Sequence, residues 1–452
     1  MTLEEIILAV KGQLLGQEIR DIFISSVSTD TRKIEENSLF IALKGDNFNG
    51  NEFLNAAIEK GANVCIIDEI LLDNYEDLPC NIIKVEDSKK ALLELAAFYR
   101  SKLDIKVVGV TGSTGKTSTK DLISAALGSK FNVYKTKGNF NNHIGMPLSI
   151  LNMPEDTQIA VLEMGMSNLK EIELLASVAK PDVGVITNIG ITHIENLKSQ
   201  DNIFKAKMEI TEFFNNDSIL VVNGDDKYLS SVANKTYTVI KVGLEEKNHI
   251  IAADIVSNEE GMKFIVNSND EFMKFFIPLQ GKHNVENSLL AIAVGRCFGL
   301  TLEEIQEGLC NLEATSMRLE IVKKGNITLI NDCYNASPTS MKAAIDVQQS
   351  MDAVRRIAII GYMSELGDYS ESSHLEVATY ARNKGIDMLI TLKNSGKFYT
   401  QGFGDECLVF NSVDDLLRAA INIIQPGDSV LVKASRSQKF ERIVKGILDN
   451  IN

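Results

Sequence analysis

The 452-residue chain lacks several features that would narrow its function at once. It has no tryptophan and seven prolines. No apolar run approaches the roughly 18 to 20 residues that a membrane-spanning helix needs. The N-terminus carries acidic residues where a secretory signal would be basic, so we expect no signal peptide. The six cysteines are scattered without a Cys-x-x-Cys pair, which indicates reduced core residues of a cytoplasmic protein rather than a zinc or redox site.

Basic residues are also in deficit, because 46 Lys and Arg stand against 61 Asp and Glu and leave a net charge of −15. This balance argues against nucleic acid as a partner, since binding a polyanion needs a basic surface. Small anionic substrates are still compatible with the composition, because a few local cations and helix N-termini are enough to hold phosphates.

One glycine-rich stretch carries the strongest functional signal. Gly109-Val-Thr-Gly-Ser-Thr-Gly-Lys-Thr117 lies between a strand-like and a helix-like run. Backbone N–H groups of such a loop surround phosphate oxygens, while Lys116 adds a charge and Thr117 a magnesium ligand. The spacing departs from the usual P-loop at Val110, so a glycine turn without a ligand is the alternative. The predicted ATP-binding residues are Gly112, Ser113, Thr114, Gly115, Lys116, Thr117 and Ser118.

Alternating β-rich and helical runs divide the chain into three α/β units. We predict a small α/β N-terminal domain over residues 1–102, a central P-loop ATPase domain with a parallel sheet over 103–313, and a C-terminal Rossmann-like domain over 314–452. A polar, β-rich stretch from 236 to 278 is expected to be an antiparallel appendage of the central domain.

Polar residues follow the predicted strands of the central domain, where open parallel sheets place ligand sites. Glu163 ends one strand and is a candidate magnesium ligand, or else a surface carboxylate. His193 follows the next strand and would bind or orient a metal, although a lone histidine can equally be a structural hydrogen-bonding residue. Lys207 lies on a predicted helix and is, by itself, typical of a solvated lysine.

Two segments rich in asparagine add further candidates. Asn139, Asn141 and Asn142 can bind phosphate or sugar hydroxyls, or they can complete turns and a helix cap. Asn284 and Asn287 precede or open a helical run from 285 to 297, where they can contact a nucleobase or cap the helix, and the residues alone favour the cap.

Three charged residues stand out in the predicted third domain. Arg318 lies at the entrance of the domain, where an arginine can stabilise the charge of a transferring phosphoryl group. Asp332 ends a strand, and Arg436 follows another. Taken singly, each of them is equally typical of a structural ion pair.

Together these segments resemble the Mur ligase family of ATP-dependent amide-forming enzymes over essentially the whole chain. The family's loop is of the Thr-Gly-x-x-Gly-Lys-Thr type, which accounts for Val110. The resemblance implies that Glu163 and His193 belong to a magnesium site. It also implies that Lys207 is carbamylated by CO₂ and, as an anion, helps to position a second Mg²⁺. The implied metal-site residues are Thr117, Glu163, His193 and Lys207.

The resemblance also assigns roles outside the phosphate loop. It implies adenine contacts for Asn284 and Asn287, and nucleotide contacts for Arg318 and Asp332 in a third domain that closes over the site. The residues implied in catalysis are Lys116, Lys207, His193 and Arg318.

Within the family, the motifs are similar to those of members that join D-alanyl-D-alanine to UDP-N-acetylmuramoyl-tripeptide. Ser28-Thr-Asp-Thr-Arg32 looks like a uridine-nucleotide segment, 138–147 like an asparagine-rich substrate loop, and 331–336 and 361–367 like third-domain signatures. The Asp-Asn-Pro-Arg motif of relatives that add the third residue does not occur in the chain. The implied substrate-binding residues are Ser28, Thr29, Asp30, Thr31, Arg32, Lys44, Asn139, Asn142, Tyr334, Asn335, Ser435 and Arg436.

The implied activity is ATP-dependent amide ligation through an acyl phosphate, in peptidoglycan precursor synthesis. We expect a cytoplasmic monomer that uses ATP and two Mg²⁺ and binds neither nucleic acid nor a membrane. Two alternatives are open at this point. One is a ligase of the same family that adds a single amino acid, and the other is a nucleotide-binding partner protein that has lost catalysis. The intact set of candidate residues argues against the second.

Overall fold

The structure is a computed structural model that describes residues 1–19, 22–268 and 270–450. Among these residues the strands form three sheets, of five, nine and six strands, each packed against helices. The chain is therefore a three-domain α/β protein, as the alternation of β-rich and helical runs predicts. No helix in the described ranges is long and apolar enough to cross a membrane. The last two residues of the predicted third domain lie outside the described residues.

The N-terminal domain is a small, mostly parallel sheet with helices. Its elements are α1 (Leu3–Val10), β1 (Gln13–Leu15), β2 (Ser26–Ser28), β3 (Ser38–Ile41), α2 (Leu54–Glu59), β4 (Ala62–Ile67), β5 (Asn81–Lys84) and α3 (Ser88–Lys102). The strand order is β1-β5-β4-β3-β2, and β1 is antiparallel to β5. The carboxylate of Asp87 caps α3 by accepting from the N–H groups of Lys89 and Lys90.

The central domain carries the phosphate loop on an interior strand of its sheet. Its elements are β6 (Lys106–Thr111), α4 (Lys116–Gly128), β7 (Val133–Lys135), α5 (Gly145–Leu151), β8 (Ile159–Glu163), α6 (Glu171–Ala179), β9 (Val183–Ile186), α7 (Ile194–Leu197), α8 (Gln200–Met208), β10 (Ile219–Asn223), β11 (Thr238–Gly243), β12 (Ile250–Asn258), β13 (Gly261–Ser268), β14 (Glu271–Ile277), α9 (Lys282–Cys297) and α10 (Leu302–Cys310). The strand order is β14-β13-β12-β11-β10-β9-β6-β8-β7.

The prediction of an antiparallel appendage over residues 236–278 is confirmed for part of that stretch. β13 is antiparallel to both β12 and β14, but β11 pairs in parallel with β10, with Ile219 opposite Thr238. β11 therefore extends the main parallel sheet. A β-rich composition identifies strands but does not specify the direction of the partner strand, which depends on how the chain returns to the sheet.

The C-terminal domain has a parallel sheet with one antiparallel edge strand. Its elements are β15 (Glu320–Lys324), β16 (Ile327–Asn331), α11 (Pro338–Ser350), β17 (Arg355–Ile360), α12 (Ser370–Asn383), β18 (Met388–Leu392), α13 (Lys393–Phe403), β19 (Cys407–Phe410), α14 (Val413–Ile423), β20 (Asp428–Lys433) and α15 (Glu441–Asn450). The strand order is β15-β16-β20-β17-β18-β19. Short 3-10 helices cover Thr31–Lys33, Gly50–Phe53, Glu209–Thr211, Leu229–Ser231, Gly367–Tyr369 and Arg436–Gln438.

The apolar cores differ between the domains. The N-terminal and central domains share one continuous core, in which Leu95 of α3 belongs to the same cluster as Ile150 of α5 and Ile172 of α6. The C-terminal sheet has its own apolar cluster on each face. The third domain is therefore joined to the rest through a linker and surface contacts.

Candidate functional site

A tight loop joins β6 to α4, and its two predicted glycines leave room for close packing. A Cβ at Gly112 would lie 1.8 Å from Oγ1 of Thr187, so no side chain fits there. Gly115 has a left-handed backbone with φ of 78°, and an added Cβ would lie 2.9 Å from Oδ1 of Asn287. The conformation and the packing of the loop thus both require glycine.

The backbone donors of the loop fall into two groups. The N–H groups of Ser113 and Thr114 donate to the carbonyl and to the side-chain oxygen of Asn188, both at 3.0 Å. By contrast, no side chain of the described residues caps α4, whose N-cap is Gly115. The first turn of that helix therefore presents backbone donors suited to an anion. The residues of that turn are Lys116, Thr117 and Ser118.

Thr117 and Glu163 form the oxygen-rich corner of the site. Oγ1 of Thr117 donates to Oε2 of Glu163 at 2.9 Å, and both side chains are buried. The other carboxylate oxygen accepts from Nδ2 of Asn141 at 2.8 Å. Glu163 is thus held at the end of β8 beside the first turn of α4, which excludes the alternative of a surface carboxylate.

This corner fits Mg²⁺, which prefers oxygen ligands and keeps water or phosphate oxygens in its shell. Within the described ranges no group of three or more His, Cys, Asp and Glu side chains is arranged to hold a metal by itself. Thr117 and Glu163 would therefore supply the protein's share of the ligands, and a nucleotide and water would supply the rest.

Lys116 lies among several charges. Its ammonium donates to the carbonyl of Gly112 at 2.8 Å, and burial lowers its pKa. Glu163 raises the same pKa, Arg318 lowers it, and Glu365 raises it. Residues from the central and third domains thus act together on the lysine of the phosphate loop.

Lys207 is buried on α8, which contradicts the solvated lysine that its sequence context alone suggests. Burial, assisted by the charge of Lys116, holds the pKa of Lys207 well below its ordinary value. No carboxylate of the described residues offsets this shift. The side chain therefore favours the neutral amine, which is the nucleophilic form.

His193 contacts the third domain. It has a left-handed backbone with φ of 63° at the start of α7, and its Nδ1 lies 2.8 Å from Oε2 of Glu365. This interaction lowers the pKa of Glu365. The backbone N–H of Glu195 also donates to the carbonyl of Glu365, at 3.3 Å. A metal-binding role for His193 stays a prediction, and Glu365 is a site residue that the sequence reasoning missed.

Arg318 reaches from the third domain to the phosphate loop. Its Nη2 donates to Oγ1 of Thr117 at 3.0 Å. The guanidinium lies over the ring of Tyr334, 4.0 Å from the ring centre, and that of Arg436 lies 5.9 Å from the same centre. Nε of Arg318 is buried and has no hydrogen-bond partner among the described residues. An unpartnered buried donor at this place fits an anionic ligand.

Asp332 is held by groups of its own domain. Its carboxylate accepts from Nζ of Lys433 at 2.5 Å and from the N–H of Leu319 at 3.2 Å. Lys433 is buried and also donates to the carbonyl of Asn335 at 2.9 Å. Lys433 is not among the site residues predicted from the sequence, although it lies at the end of β20, shortly before Ser435.

Asn284 and Asn287 lie inside α9, so the cap interpretation is wrong. The helix begins at Lys282, one turn earlier than the sequence indicates, and its N-cap is Gly281. Nδ2 of Asn284 donates to the carbonyl of Gln280 at 2.8 Å, and Nδ2 of Asn287 donates to Oδ1 of Asn284 at 3.3 Å. The two amides form a buried polar pair next to the phosphate loop.

A cavity of about 280 Å³ lies between the start of α9 and α11 of the third domain. Its lining includes Lys282, His283 and Asp346. Burial lowers the pKa of His283 to about 4, so its imidazole is neutral at neutral pH. The cavity thus offers neutral and charged polar groups beside the helix that carries the asparagine pair.

The predicted uridine-nucleotide segment is ordered by its own side chains. Asp30 accepts from Nε and Nη2 of Arg32, both at 2.9 Å, and these bonds hold the pKa of Asp30 at about 2. Oγ of Ser28 donates to the carbonyl of Asp30 at 3.0 Å, while Lys44 pairs with Glu69. The described residues show no hydrogen bond between this segment and the phosphate loop. The other predicted residues of the segment are Thr29 and Thr31.

The asparagines of the loop before α5 differ in their contacts. Oδ1 of Asn142 accepts from the N–H of Gly145 at 2.8 Å, as the turn alternative predicts, and Asn139 is exposed. Asn141, the third asparagine of the loop and not one of the predicted substrate-binding residues, is the residue that contacts Glu163.

The third-domain signature segment 361–367 meets the segment that contains Ser435. Oγ of Ser435 accepts from the N–H of Ser364 at 3.0 Å, and Asn335 is exposed beside the buried Asp332. The structure therefore joins the predicted nucleotide residues of two domains, whereas the predicted substrate residues lie in separate groups around them.

Three models of Mur ligase domains match the chain in order. "Mur ligase family, catalytic domain" matches residues 23–100, "Mur ligase middle domain" matches 110–295, and "Mur ligase, glutamate ligase domain" matches 317–436.

Similar proteins extend over the full chain. UDP-N-acetylmuramoyl-tripeptide–D-alanyl-D-alanine ligase of Bacillus subtilis (strain 168) is 42% identical over 459 residues, which cover 99% of this chain and 98% of the relative. MurF from Acinetobacter baumannii has a TM-score of 0.90 at 27% identity, over 99% of this chain and 98% of that chain. MurF ligase from Thermotoga maritima in complex with ADP has a TM-score of 0.85 at 27% identity, over 96% and 99%. With these matches across all three domains, the chain belongs to the Mur ligase family.

Proposed function

We propose that this protein is an ATP-dependent ligase that joins D-alanyl-D-alanine to UDP-N-acetylmuramoyl-tripeptide in peptidoglycan precursor synthesis. The observation that carries the proposal is the contact of Arg318 with Thr117, because it closes a third-domain arginine onto the phosphate loop. The substrate assignment is supported by the names of relatives that match this chain from end to end.

Two bond exchanges account for the reaction. A carboxylate oxygen of the tripeptide attacks the γ-phosphorus of ATP, the bond from that phosphorus to the bridging oxygen breaks, and ADP leaves. The amine of D-alanyl-D-alanine then attacks the acyl phosphate carbon, loses a proton and displaces inorganic phosphate. The first step brings two anions together, and in the second step negative charge develops on the carbonyl oxygen, so positioning and charge neutralisation supply most of the catalysis.

The phosphate loop and the arginine would share the charge of the transferring group. The first-turn N–H groups of α4 and the ammonium of Lys116 would hold the terminal phosphates. Arg318, with its unpartnered Nε, would neutralise charge that develops on the γ-phosphoryl oxygens. Thr117 and Glu163 would hold Mg²⁺, which supplies further charge neutralisation when bound.

The nucleoside end of ATP would lie toward the third domain. The asparagine pair Asn284 and Asn287 borders the phosphate loop, and the cavity beside α9 has a volume suited to a small polar group. Asp332 accepts a hydrogen bond from the N–H of Leu319, the residue that follows Arg318. It would contact the nucleotide once its carboxylate oxygen is released from Lys433.

Lys207 would be carbamylated. Its lowered pKa favours the neutral amine, which attacks CO₂ and releases a proton to leave a carbamate anion. The product would replace an uncompensated buried amine by an anion that faces the charge of Lys116. His193 would complete the metal region, as the family resemblance implies.

The proposal includes the remaining sequence expectations. The domain limits 1–102, 103–313 and 314–452, the use of two Mg²⁺, the monomeric state and the cytoplasmic location belong to it. The predicted substrate residues of the segment 28–32, of the asparagine-rich loop and of the third-domain signatures would bind the UDP-tripeptide and the dipeptide.

A substrate-dependence assay tests the main proposal. Purified protein should release phosphate from ATP when both UDP-tripeptide and D-alanyl-D-alanine are present, and omission of either should abolish turnover. Tripeptides with lysine and with diaminopimelate at position three should be compared in parallel. Equal turnover without the dipeptide, or with single amino acids in its place, would contradict the assignment.

A chemical rescue tests the carbamate. Lys207→Ala should lose activity and regain part of it with added short carboxylates, because these can replace the missing anion. Lys205→Ala, an exposed lysine of the same helix, serves as the matched control and should keep full activity. Full activity of Lys207→Ala would remove Lys207 from the mechanism.

A further inference from the structure

The linker between α10 and β15 touches the phosphate-loop helix at a second point besides Arg318. Oδ2 of Asp121 on α4 accepts from the backbone N–H of Thr315 at 2.9 Å and from its Oγ1 at 2.7 Å. Asp121 is only 2% exposed. None of the chemistry assigned above uses either side chain.

The two contacts follow opposite orders along the helix and along the linker. Thr117 and Asp121 are four residues apart, so they lie on the same face of α4, about 6 Å apart along its axis. Their partners, Arg318 and Thr315, are three residues apart on the linker. The linker therefore runs antiparallel to the start of α4, and the Thr315 contact sets its register.

Two lysines hold Asp121 in place. Nζ of Lys135 lies 3.0 Å from Oδ1 of Asp121, and Nζ of Lys120 lies 3.4 Å from the same atom. Lys135 also donates to the carbonyl of Glu313 in the linker, at 3.1 Å. Oδ2 of this buried carboxylate accepts both hydrogen bonds from Thr315, while Oδ1 accepts none among the described residues and lies beside the two cations, so Asp121 serves as an anchor for the linker.

The segment that follows is strained and tied at its far end. Met317 and Leu319, on either side of Arg318, have left-handed backbones with φ of 60° and 51°. The N–H of Leu319 donates to Asp332 of the third domain. Such a backbone persists when contacts on both sides hold it, and Thr315 and Leu319 supply these contacts.

We propose that Asp121 is a positioning residue for Arg318. By binding Thr315 to α4, it sets the register in which the linker presents the guanidinium to Thr117 and to the γ-phosphate of ATP. The inference rests on the proposed ligase function and names a residue that acts through Arg318 without contacting substrate.

Paired variants of the linker threonine test the proposal with little risk to folding. Thr315→Val removes the Oγ1 donor but keeps the backbone donor, and it should lower kcat about 3- to 10-fold. Thr315→Ser keeps both donors and should restore the wild-type kcat. The Kd of MgADP should change less than about twofold in both, because the loop binds phosphate without the linker.

A double-mutant cycle tests the route through Arg318. Asp121→Ala should lower kcat about 10- to 100-fold in the wild-type background and less than about twofold in an Arg318→Ala background. Lys130→Ala breaks an exposed pair with Glu304 at the other end of α4 and should leave kcat unchanged. Equal losses in both backgrounds, or a Thr315→Val variant with wild-type kcat, would overturn the positioning role.

Hydrogen exchange separates this inference from the proposed function. In the full-length protein with MgADP, Asp121→Ala or Thr315→Val should speed amide exchange in residues 315–319, whereas Lys130→Ala should not. A wild type without ligase activity would contradict the proposed function alone. Unchanged linker exchange in both variants would contradict the anchor, whatever the activity.

Discussion

The central domain meets its two neighbours in different ways, through aliphatic packing on one side and mainly through separate polar contacts on the other. At the first junction, α3 of the N-terminal domain lies against α5 and α6. Leu95, Ile150 and Ile172 of these helices are fully buried in one apolar cluster. This junction is continuous with the interior of both domains.

At the second junction, named side chains bridge the central and third domains one by one. Arg318 reaches Thr117, and Glu365 reaches His193. Arg318 and Glu365 lie on the linker 311–319 and on the loop 361–367, and neither side chain belongs to an apolar cluster. One apolar contact accompanies them, because Ile191 of the central domain packs against the third-domain cluster that contains Leu366.

The difference teaches where this fold allows movement. Burial of apolar area is worth roughly 25 cal/mol per Å² and does not depend on the alignment of single atoms, so the first junction is expected to be rigid. Polar contacts at a surface are directional and individually weak in net free energy. They can break and form again as substrates enter, which suits a site that is completed by closure of a domain.

The largest effect is expected at the second junction. Arg318→Ala should lower kcat about 10³-fold, because an arginine on the transferring phosphoryl group is worth at least that much in related chemistry. Steady-state phosphate release measures kcat. Arg442→Ala, an exposed third-domain arginine paired with Asp414, is the control and should retain activity. A loss below tenfold would show that closure of the arginine is not central to catalysis.

A substitution at the first junction should change the stability of the protein rather than its kcat. Leu95→Ala should lower the free energy of unfolding by about 2–5 kcal/mol, since it leaves a cavity in the shared core. Urea unfolding should show the N-terminal and central domains losing structure together. Leu8→Ala, at a 72% exposed position of α1, should change little. Separate unfolding of the N-terminal domain would break the comparison.

The two junctions should also differ in their dependence on pH. The charge of Lys116 acts on Lys207, and Arg318 and Glu365 of the second junction act in turn on Lys116. The lowered pKa of Lys207 means that the unfolded chain binds more protons than the folded one between that pKa and 10.5. This group therefore makes the wild type less stable at neutral pH, and the deficit shrinks as the pH rises.

Lys207→Met should remove that deficit. In CO₂-free buffer the variant should be more stable than wild type near pH 7, and the two proteins should converge toward pH 10.5, as followed by urea unfolding. Lys205→Met is the control. A constant difference across this range would mean that Lys207 is not held neutral by burial.

The smallest effect is expected for the contact between Glu365 and His193. Glu365→Gln should lower kcat only about 2- to 5-fold, because the carboxylate is half exposed and screened by water. Added salt should screen the contact between Glu365 and His193 and thereby lower the kcat of the wild type, and it should affect the variant less. Glu376→Gln, which breaks an exposed third-domain pair with Lys342, controls for loss of charge. A salt dependence equal in both proteins would remove this contact from the closure.

Local patterns in the sequence predicted much of the fold. The phosphate loop, the place of Glu163 at a strand end and the three α/β alternations depend on neighbouring residues, and the structure has each of them. The direction of β11 and the start of α9 were wrong, because both depend on distant partners. The burial of Lys207 could not be predicted from the sequence either, because the residues around it are typical of an amphipathic helix with a polar face.

The site residues that the sequence reasoning missed share one property. Asp121 meets Thr315 across 194 positions, and Lys433 meets Asp332 across 101. No local periodicity encodes such pairs. They are favourable only after folding has already brought the strands and the linker together.

By itself, the sequence determined the kind of chemistry. A glycine loop between a strand and a helix, followed by Lys116 and Thr117, is a phosphate site because its conformation is set by adjacent residues. Only the tertiary structure decided how that site is completed. Arg318 contacts Thr117 across 201 positions, and Asp121 sets the register of the linker that carries it. Contacts between residues so far apart in the sequence form only when whole domains pack together, and that packing depends on many residues of the chain at once.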